Sequence, residues 1–182
     1  MICVDPVREM LDVGIRNKIA NIETICETAE QFSARQIHYD KIYLKMVVHH
    51  LPVNKLRKIF TGITSQLNKG GAILIDKTKE QGKRYPTFEK ARQLHIQSEI
   101  GRSELLLDIL SSLGYQVKTI IVESQGRMTK TEAVNNIRNR YASTLQLLSD
   151  QEIQAGIEEV ERNFEEVIEY DYKREIIIAI KL

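Results

Sequence analysis

The sequence predicts an α/β fold, in which a mostly parallel sheet has helices on both faces. Apolar segments of strand length alternate with segments of helical periodicity, which is the pattern of parallel sheets. Residues 72–75 are apolar at every position, as expected for a strand that is covered on both faces. The 182 residues, 42% hydrophobic and 28% charged, suit one folded core. We therefore predict a single domain that spans residues 1–182.

The first part of the chain is expected to contain three strands and one helix. Asp5 and Pro6 mark the first junction between strand and helix, because aspartate is a favoured cap and proline suits a first helical position. The helix should place Val7, Met10 and Leu11 on one apolar face. The predicted strands are 1–4, 21–26 and 40–48, and the predicted helix is 6–16.

An amphipathic helix follows the third strand. Its apolar residues recur at intervals of three and four: Leu56, Ile59, Phe60, Ile63 and Leu67. Gly70 and Gly71 are expected to end this helix, because glycine readily adopts the conformation found at helix C-termini. The apolar strand 72–75 comes next.

The second half is predicted to combine three helical segments with two strands. Gly101 is expected to interrupt the first helical segment, 87–113. Ser149 and Glu152 have the spacing of a capping box, which predicts a helix over 149–164. The remaining predicted elements are a strand at 117–122, a helix at 129–148 and an isoleucine-rich strand at 174–182.

Composition argues against several classes of partner. Lys and Arg (26) nearly balance Asp and Glu (25), so we predict no nucleic-acid or membrane partner. No apolar run reaches membrane-spanning length and no signal-peptide pattern is visible, so the expected location is cytoplasmic. Cys3 and Cys26 are expected to be buried, reduced thiols. No Cys/His grouping has zinc spacing, and no metal site is predicted.

Three stretches, in this order, carry a resemblance to a known family: ICVDPVREML (2–11), ETAEQFS (27–33) and YDKIYLKMVVHHL (39–51). Together they resemble class I S-adenosylmethionine (SAM) dependent methyltransferases of the small-molecule type. The resemblance implies a Rossmann-like sandwich with a mostly parallel sheet and one antiparallel C-terminal strand. It also implies SAM as co-substrate and methyl transfer to an unidentified small molecule.

The resemblance assigns five residues to the cofactor. Asp5 stands where the family's acidic residue binds both ribose hydroxyls, and a carboxylate can accept two such donors. Thr28 and Ala29 would border the adenine, with Thr28 in place of the family's usual acid. Lys45 and Met46 would approach the methionine part of SAM. A cation beside a sulfonium is unfavourable unless it meets a carboxylate, and Lys45 could instead serve an anionic substrate.

The substrate side is assigned by position as well. His50 is the candidate base, because histidine transfers protons readily near neutral pH. His49, Arg140 and Tyr141 are expected to face the substrate. Residues 124–166 resemble a helical lid inserted before the last strand.

The family's first strand and glycine-rich loop are expected to be absent, which would make the domain N-terminally truncated. No Gly-x-Gly occurs in the sequence, and Asp5 is the fifth residue. The two strands that normally flank the first strand would then expose unpaired backbone groups. Either they pair directly with each other, or the sheet stays split around a gap. Self-association through an unpaired edge is a further expectation.

Several alternatives remain open from the residues alone. Asp5 could be only a helix cap, or it could bind the ribose of NAD in an oxidoreductase. The chain could also be a non-catalytic remnant or interaction module. His49 and His50 could serve packing, and Arg140 could lie on a solvated helix face. A solvated basic loop is the expected setting of Lys77, Lys79, Lys83 and Arg84.

Overall fold

The structure, a computed structural model, describes residues 1–16, 21–82 and 84–182. Its strands are β1 (Ile2–Val4), β2 (Glu23–Ile25), β3 (Tyr39–Lys45), β4 (Leu67–Gln81), β5 (Tyr115–Thr129) and β6 (Val167–Lys181). Its α-helices are α1 (Arg8–Arg16), α2 (Ala29–Phe32), α3 (Leu56–Gln66), α4 (Glu89–Glu99), α5 (Arg102–Ser112), α6 (Lys130–Arg138) and α7 (Asp150–Asn163). Short 3-10 helices span Val48–His50, Val53–Lys55 and Ser143–Leu147. Within these described ranges, no helix is long and apolar enough to cross a bilayer.

The larger sheet has four strands in the order β3-β4-β6-β5. Strand β4 is parallel to β3, whereas β6 is antiparallel to both of its neighbours, β4 and β5. It follows that β3, β4 and β5 run in one direction and β6 runs against them. The prediction of a mostly parallel sheet with one antiparallel C-terminal strand is confirmed.

The first two strands form a separate sheet. Strand β1 pairs with β2 in parallel, with Ile2 opposite Glu23 and Val4 opposite Ile25. Neither strand is hydrogen-bonded to β3 in the part of the chain that the structure describes. Of the two arrangements expected from the sequence, the split sheet is the one observed. Because β1 lies outside the four-stranded sheet, the fold class rests on β3–β6.

Helix α1 buries less than its sequence predicts. Leu11 is buried, but Val7 is 47% exposed and Met10 is 63% exposed. The expected apolar face is thus only partly covered. Both cysteines are free thiols, as expected, but they are less buried than expected: Cys3 is half-buried and Cys26 is exposed.

The main hydrophobic core packs one face of the larger sheet against α3 and α5. Leu56, Ile59 and Phe60 of α3 are at most 1% exposed, which confirms the predicted amphipathic helix. The other members include Ile73 and Ile75 of β4, Ile177 and Ala179 of β6, and Leu106, Ile109 and Leu110 of α5. Burying each large aliphatic side chain contributes about 1.5–3 kcal/mol, so this cluster is the main source of stability.

A second core joins the helices near the predicted lid. Phe88, which precedes α4, packs with Ile137 of α6, Ile157 and Val160 of α7, and Ile168 of β6. Strand β5 runs to Thr129, so the helical part of the expected 124–166 segment starts at Lys130 and ends at Asn163.

The helices of this segment match their predicted starts better than their predicted ends. Ser149 and Glu152 form the predicted capping box at the start of α7. The predicted helix 129–148 stops at Arg138, because Arg140 adopts a left-handed backbone conformation (φ 51°) that interrupts the helix.

The glycines end helices at one predicted place and not at another. Gly101 (φ 69°) separates α4 from α5, as predicted. Helix α3 ends at Gln66, and its last predicted apolar residue, Leu67, already has extended backbone and begins β4. Gly70 and Gly71 therefore lie within the strand, which corrects the predicted helix stop.

Helix α2 is attached to the main body through a close contact with α3. A Cβ atom at Gly62 would lie 2.2 Å from the Ser33 carbonyl oxygen, which is too close for any side chain. Nearby, Gln66 Nε2 donates to the carbonyl oxygens of Phe32 (2.7 Å) and Arg35 (2.9 Å). The segment after β2 is thus fixed by backbone contacts to a helix of the main core.

We expect Gly62→Ala to lower the free energy of unfolding by about 1–3 kcal/mol, because overpacking against backbone outweighs the helix preference of alanine. The measurement is urea unfolding followed by circular dichroism. Thr61→Ala, at an exposed position of the same helix, is the control and should stay within about 0.5 kcal/mol. A Gly62→Ala protein as stable as the control would contradict the close contact.

Candidate functional site

The carboxyl ends of β1 and β2 bring Asp5, Thr28 and Ala29 to the same edge. Asp5 follows β1, and its backbone N–H donates to the Ile25 carbonyl of β2 at 3.3 Å. Asp5 Oδ1 accepts a hydrogen bond from the Val7 N–H at 2.8 Å, so the residue does cap the chain entering α1. Its Oδ2 makes no hydrogen bond to any described residue, which leaves one carboxylate oxygen for a ligand.

Thr28 is the N-cap of α2 and forms a capping box with Gln31. Its Oγ1 accepts from the Gln31 N–H at 3.2 Å and donates to Gln31 Oε1 at 2.9 Å. The hydroxyl proton is therefore used within the chain, and one lone pair remains as an acceptor. Ala29 begins α2 and packs against the edge of the main core.

Beside the carboxyl end of β3, a buried carboxylate in the interior of β4 makes contacts that join three strands. Asp76 of β4 is 1% exposed. Its Oδ2 accepts from the Tyr43 hydroxyl of β3 at 2.7 Å, and its Oδ1 accepts from Nε of Arg174, on β6, at 3.0 Å. A second Arg174 nitrogen pairs with Oδ2. Burial alone would raise the pKa of Asp76, but the bonds from Arg174 and Tyr43 lower it, so the carboxylate is held ionised.

Lys45 and Met46 lie beside this carboxylate. Lys45 is exposed and lies opposite Asp76 in the β3–β4 register, and its charge contributes to the lowered pKa of Asp76. Met46 has a left-handed backbone (φ 51°), which is unusual for a side chain of this size. Its N–H donates to the Asp76 carbonyl at 2.7 Å, and its Sδ accepts from Thr78 Oγ1 at 3.7 Å. The expected cation thus has a carboxylate next to it.

The histidine pair occupies the 3-10 helix after β3. The rings of His49 and His50 are 4.0 Å apart between centroids. Burial, followed by the nearby His50, lowers the pKa of His49 to about 4, so its imidazole is neutral at pH 7. His50 is exposed. Of the two, His50 is the more accessible to solvent and to a substrate, because His49 is half-buried.

A second charged cluster is buried on the other face of β4. Lys77 Nζ, 1% exposed, pairs with Glu99 of α4 and lies 3.7 Å from Glu175 Oε2 of β6. Ser103 Oγ donates to the same Glu175 oxygen at 2.6 Å, and Lys79 Nζ is 3.3 Å from Oε1. Lys77 was expected in a solvated loop, and its burial in strand β4 corrects that expectation. Lys83, also expected there, lies outside the described residues.

The expected substrate residues of the lid are used differently. Two hydrogen bonds run from Arg140 Nη1 to the carbonyl oxygens of Leu145 (2.6 Å) and Leu148 (2.5 Å), and Nη2 is 2.7 Å from Asp150 Oδ1. These contacts fix the turn between α6 and α7, so most of the guanidinium is engaged within the chain. Tyr141 is 84% exposed. Arg140 therefore has a structural role, and Tyr141 alone stays available to a ligand.

Two features of this site escaped the sequence analysis, namely the Asp76–Arg174 pair and the buried Lys77 cluster. The available signal for Asp76 was its place directly after the apolar run 72–75, at a strand end. In the ranges 1–16, 21–82 and 84–182, no group of three or more His, Cys, Asp or Glu residues is placed to hold a metal ion.

No protein-family model matches the chain, and no curated protein sequence matches it. Solved structures do resemble it. The YcgJ protein of Bacillus subtilis matches with a TM-score of 0.59 at 15% identity, over 99% of this chain and 81% of that one. A SAM dependent methyltransferase of Archaeoglobus fulgidus matches with a TM-score of 0.54 at 16% identity, over 99% and 75%. The [4+2]-cyclase SpnF matches with a TM-score of 0.57 at 10% identity, over 99% and 66%.

These similarities show the fold. The chain has the α/β fold of SAM-dependent methyltransferases, as the resemblance of its sequence implied. The same fold also occurs in the cyclase, so the activity has to be argued from the site and not from the fold.

We expect Lys77→Met to lower the free energy of unfolding by about 3–5 kcal/mol, because Glu99 would lose its buried cation and Glu175 would lose the buried one of its two. Lys79→Met removes the exposed lysine of the same cluster, 40% exposed, and should cost at most about 1 kcal/mol. Chemical unfolding of both variants measures the difference. Equal losses would show that burial does not govern this cluster.

The lowered pKa of His49 predicts a pH dependence of stability. Between about pH 6.5 and pH 4 the unfolded chain binds a proton at His49 that the folded protein does not, so stability falls as the pH drops. His49→Gln should remove about 1–2 kcal/mol of this decline in stability. This value is smaller than the pKa shift alone would give, because the half-buried His49 is partly screened by solvent. His95, whose pKa burial also lowers, leaves a residual slope.

Unfolding of wild type and His49→Gln at pH 6.5 and pH 4.5 tests this dependence, with the exposed His38→Gln as control. A decline of the same size in all three proteins would show that His49 is not held neutral.

Proposed function

We propose that the protein is a SAM-dependent methyltransferase that acts on a small molecule. The observation that carries the proposal is the parallel register of β1 and β2, which sets Asp5 next to the segment of Thr28 and Ala29. Neighbouring strands are about 4.8 Å apart, and this spacing suits a ribose and an attached base.

The free Oδ2 of Asp5 is proposed to accept from the ribose hydroxyls. Oδ1 is already engaged by the Val7 N–H, so the carboxylate is held in place before a ligand arrives. Thr28 keeps one acceptor lone pair for the adenine amino group, and Ala29 offers backbone at its edge. The Archaeoglobus relative is described as SAM dependent, which supports this cofactor.

The methionine part is proposed to lie near Lys45 and Met46. Asp76 offsets the charge of Lys45, which reduces repulsion between that lysine and a sulfonium. Met46 is 40% exposed, so its thioether can contact a ligand. The carboxyl end of β3 therefore supplies a mixed polar and apolar surface.

Sulfonium is an activated methyl donor, so positioning supplies much of the rate. In the transfer, the acceptor's lone pair forms the new bond to carbon while the carbon–sulfur bond breaks, and the electrons return to sulfur. Asp76 is a poor base because Arg174 and Tyr43 hold it ionised by hydrogen bonds. His50, exposed beside the neutral His49, is the proposed base where the acceptor has to lose a proton.

A second candidate is a non-catalytic methyltransferase-like module. The split between the β1–β2 sheet and the four-stranded sheet favours it, because the cofactor residues then fall on two separate sheets. A third candidate, the NAD-dependent oxidoreductase, is tested by a separate titration with NADH. Self-association through an unpaired edge stays a prediction.

We expect calorimetric titration with S-adenosylhomocysteine to detect binding, and Asp5→Asn to weaken it at least tenfold, about 1.4 kcal/mol. Asparagine keeps the oxygen that caps Val7, so the variant tests the charge rather than the helix cap. Glu9→Gln, on the exposed side of α1, is the control and should bind like wild type.

Two outcomes separate the candidates. No binding of the nucleoside by wild-type protein would overturn the SAM proposal and favour the non-catalytic module. Binding of NADH, followed by fluorescence, in place of S-adenosylhomocysteine would favour the oxidoreductase.

A further inference from the structure

Arg174 presents an unused edge of its guanidinium group. Nε and Nη2 both bind the carboxylate of Asp76. Nη1 makes no hydrogen bond to the part of the chain that the structure describes. The side chain is 33% exposed, so this edge is within reach of a ligand. A guanidinium bound along one edge keeps further N–H donors in a fixed plane.

The surroundings of this edge carry a net positive charge. Lys45 and Asp76 are cross-strand neighbours, as are Thr78 and Arg174, and all four lie on one face of the sheet. Two cations and one carboxylate leave a surplus of one positive charge. Tyr172, two residues before Arg174 on β6, lies on the same face.

We propose that Arg174 and Lys45 bind an oxyanion, a carboxylate or phosphate group carried by the methyl acceptor. The identification of this ligand as the acceptor rests on the proposed function. The site lies at the carboxyl end of β3, and open α/β sheets bind ligands at the carboxyl ends of their strands. It also lies beside Met46, so an acid group held here would place the rest of the acceptor next to the methionine end of the donor.

The form of the pair supports a ligand role in addition to a structural one. A lysine could neutralise Asp76 with a single point charge, whereas arginine neutralises it along one edge and still offers donors along another. The Tyr43 hydroxyl already supplies a further hydrogen bond to Asp76. Arg174 is therefore oriented by Asp76, and its remaining donors point away from it.

The test is a calorimetric titration of the protein with inorganic phosphate and, separately, with acetate, in the absence of nucleoside. Wild-type protein should show saturable binding. Arg174→Lys should weaken oxyanion binding about tenfold. Lysine still supplies a positive charge to neutralise Asp76, but it lacks the planar set of N–H donors of a guanidinium group. Lys45→Gln should weaken it about threefold or more, because one of two cations is removed.

Lys118→Gln is the matched control. Lys118 is exposed on the same face of the sheet, but it lies near the amino end of β5, four residues before Val122, the β5 residue that pairs with Arg174. It should leave the affinity unchanged. Circular dichroism checks that each variant folds. Should Arg174→Lys fail to fold, Lys45→Gln carries the test, since the exposed Lys45 side chain makes no hydrogen bond to the described residues.

Tighter binding of phosphate would identify a phosphorylated acceptor, and tighter binding of acetate a carboxylic acid. The proposal is overturned if neither ion saturates the protein, or if Lys118→Gln weakens binding as much as Arg174→Lys. The titration with S-adenosylhomocysteine is independent. Loss of nucleoside binding together with Arg174-dependent oxyanion binding would remove the donor assignment and leave the oxyanion site.

Discussion

A carboxylate that is almost fully buried needs a counter-ion and hydrogen-bond donors from within the protein. Two neighbouring strands supply them to Asp76. Its partners, Tyr43 and Arg174, belong to β3 and β6, so three strands meet at one ionised group. Removing Arg174 would leave an uncompensated charge inside the sheet, and removing the Tyr43 hydroxyl would take away a hydrogen bond to the buried carboxylate. The same requirement fixes the orientation of Arg174 and the charge around Lys45. The chemistry of this end of the sheet therefore follows from one buried group.

The parts of the fold that local sequence determines were predictable. The capping box at Ser149, the break at Gly101 and the apolar face of α3 each depend on residues within one or two helical turns. The lengths of β4, β5 and β6 were underestimated. All three are 15 residues long, because β6 pairs with β5 from Val167 to Lys181 and with β4 from Tyr172 to Ile180. This pairing joins residues far apart in the chain. Hydrophobic runs mark only the buried middle of such strands.

The residues of the candidate site also fall into those that local sequence identifies and those that only long-range strand pairing brings together. Asp5 could be found from sequence because its strand, cap and proline are adjacent. Arg174 could not, because its partner Asp76 lies 98 positions away and the register that unites them is set by the sheet. Lys77 was misjudged for a related reason: a lysine after an apolar strand is usually solvated, and only Glu99 and Glu175, brought in from α4 and β6, make its burial tolerable.

One oxygen of Asp5 takes part in the fold and the other is proposed to bind a ligand, and this division has an evolutionary consequence. One oxygen holds the backbone of Val7, so selection for folding alone would retain Asp or a residue of similar shape at this position. A lineage that stopped using the second oxygen would be free to drift to asparagine without losing the cap. An aspartate preserved across descendants, against an equally good asparagine, would be the mark of a negative charge still in use.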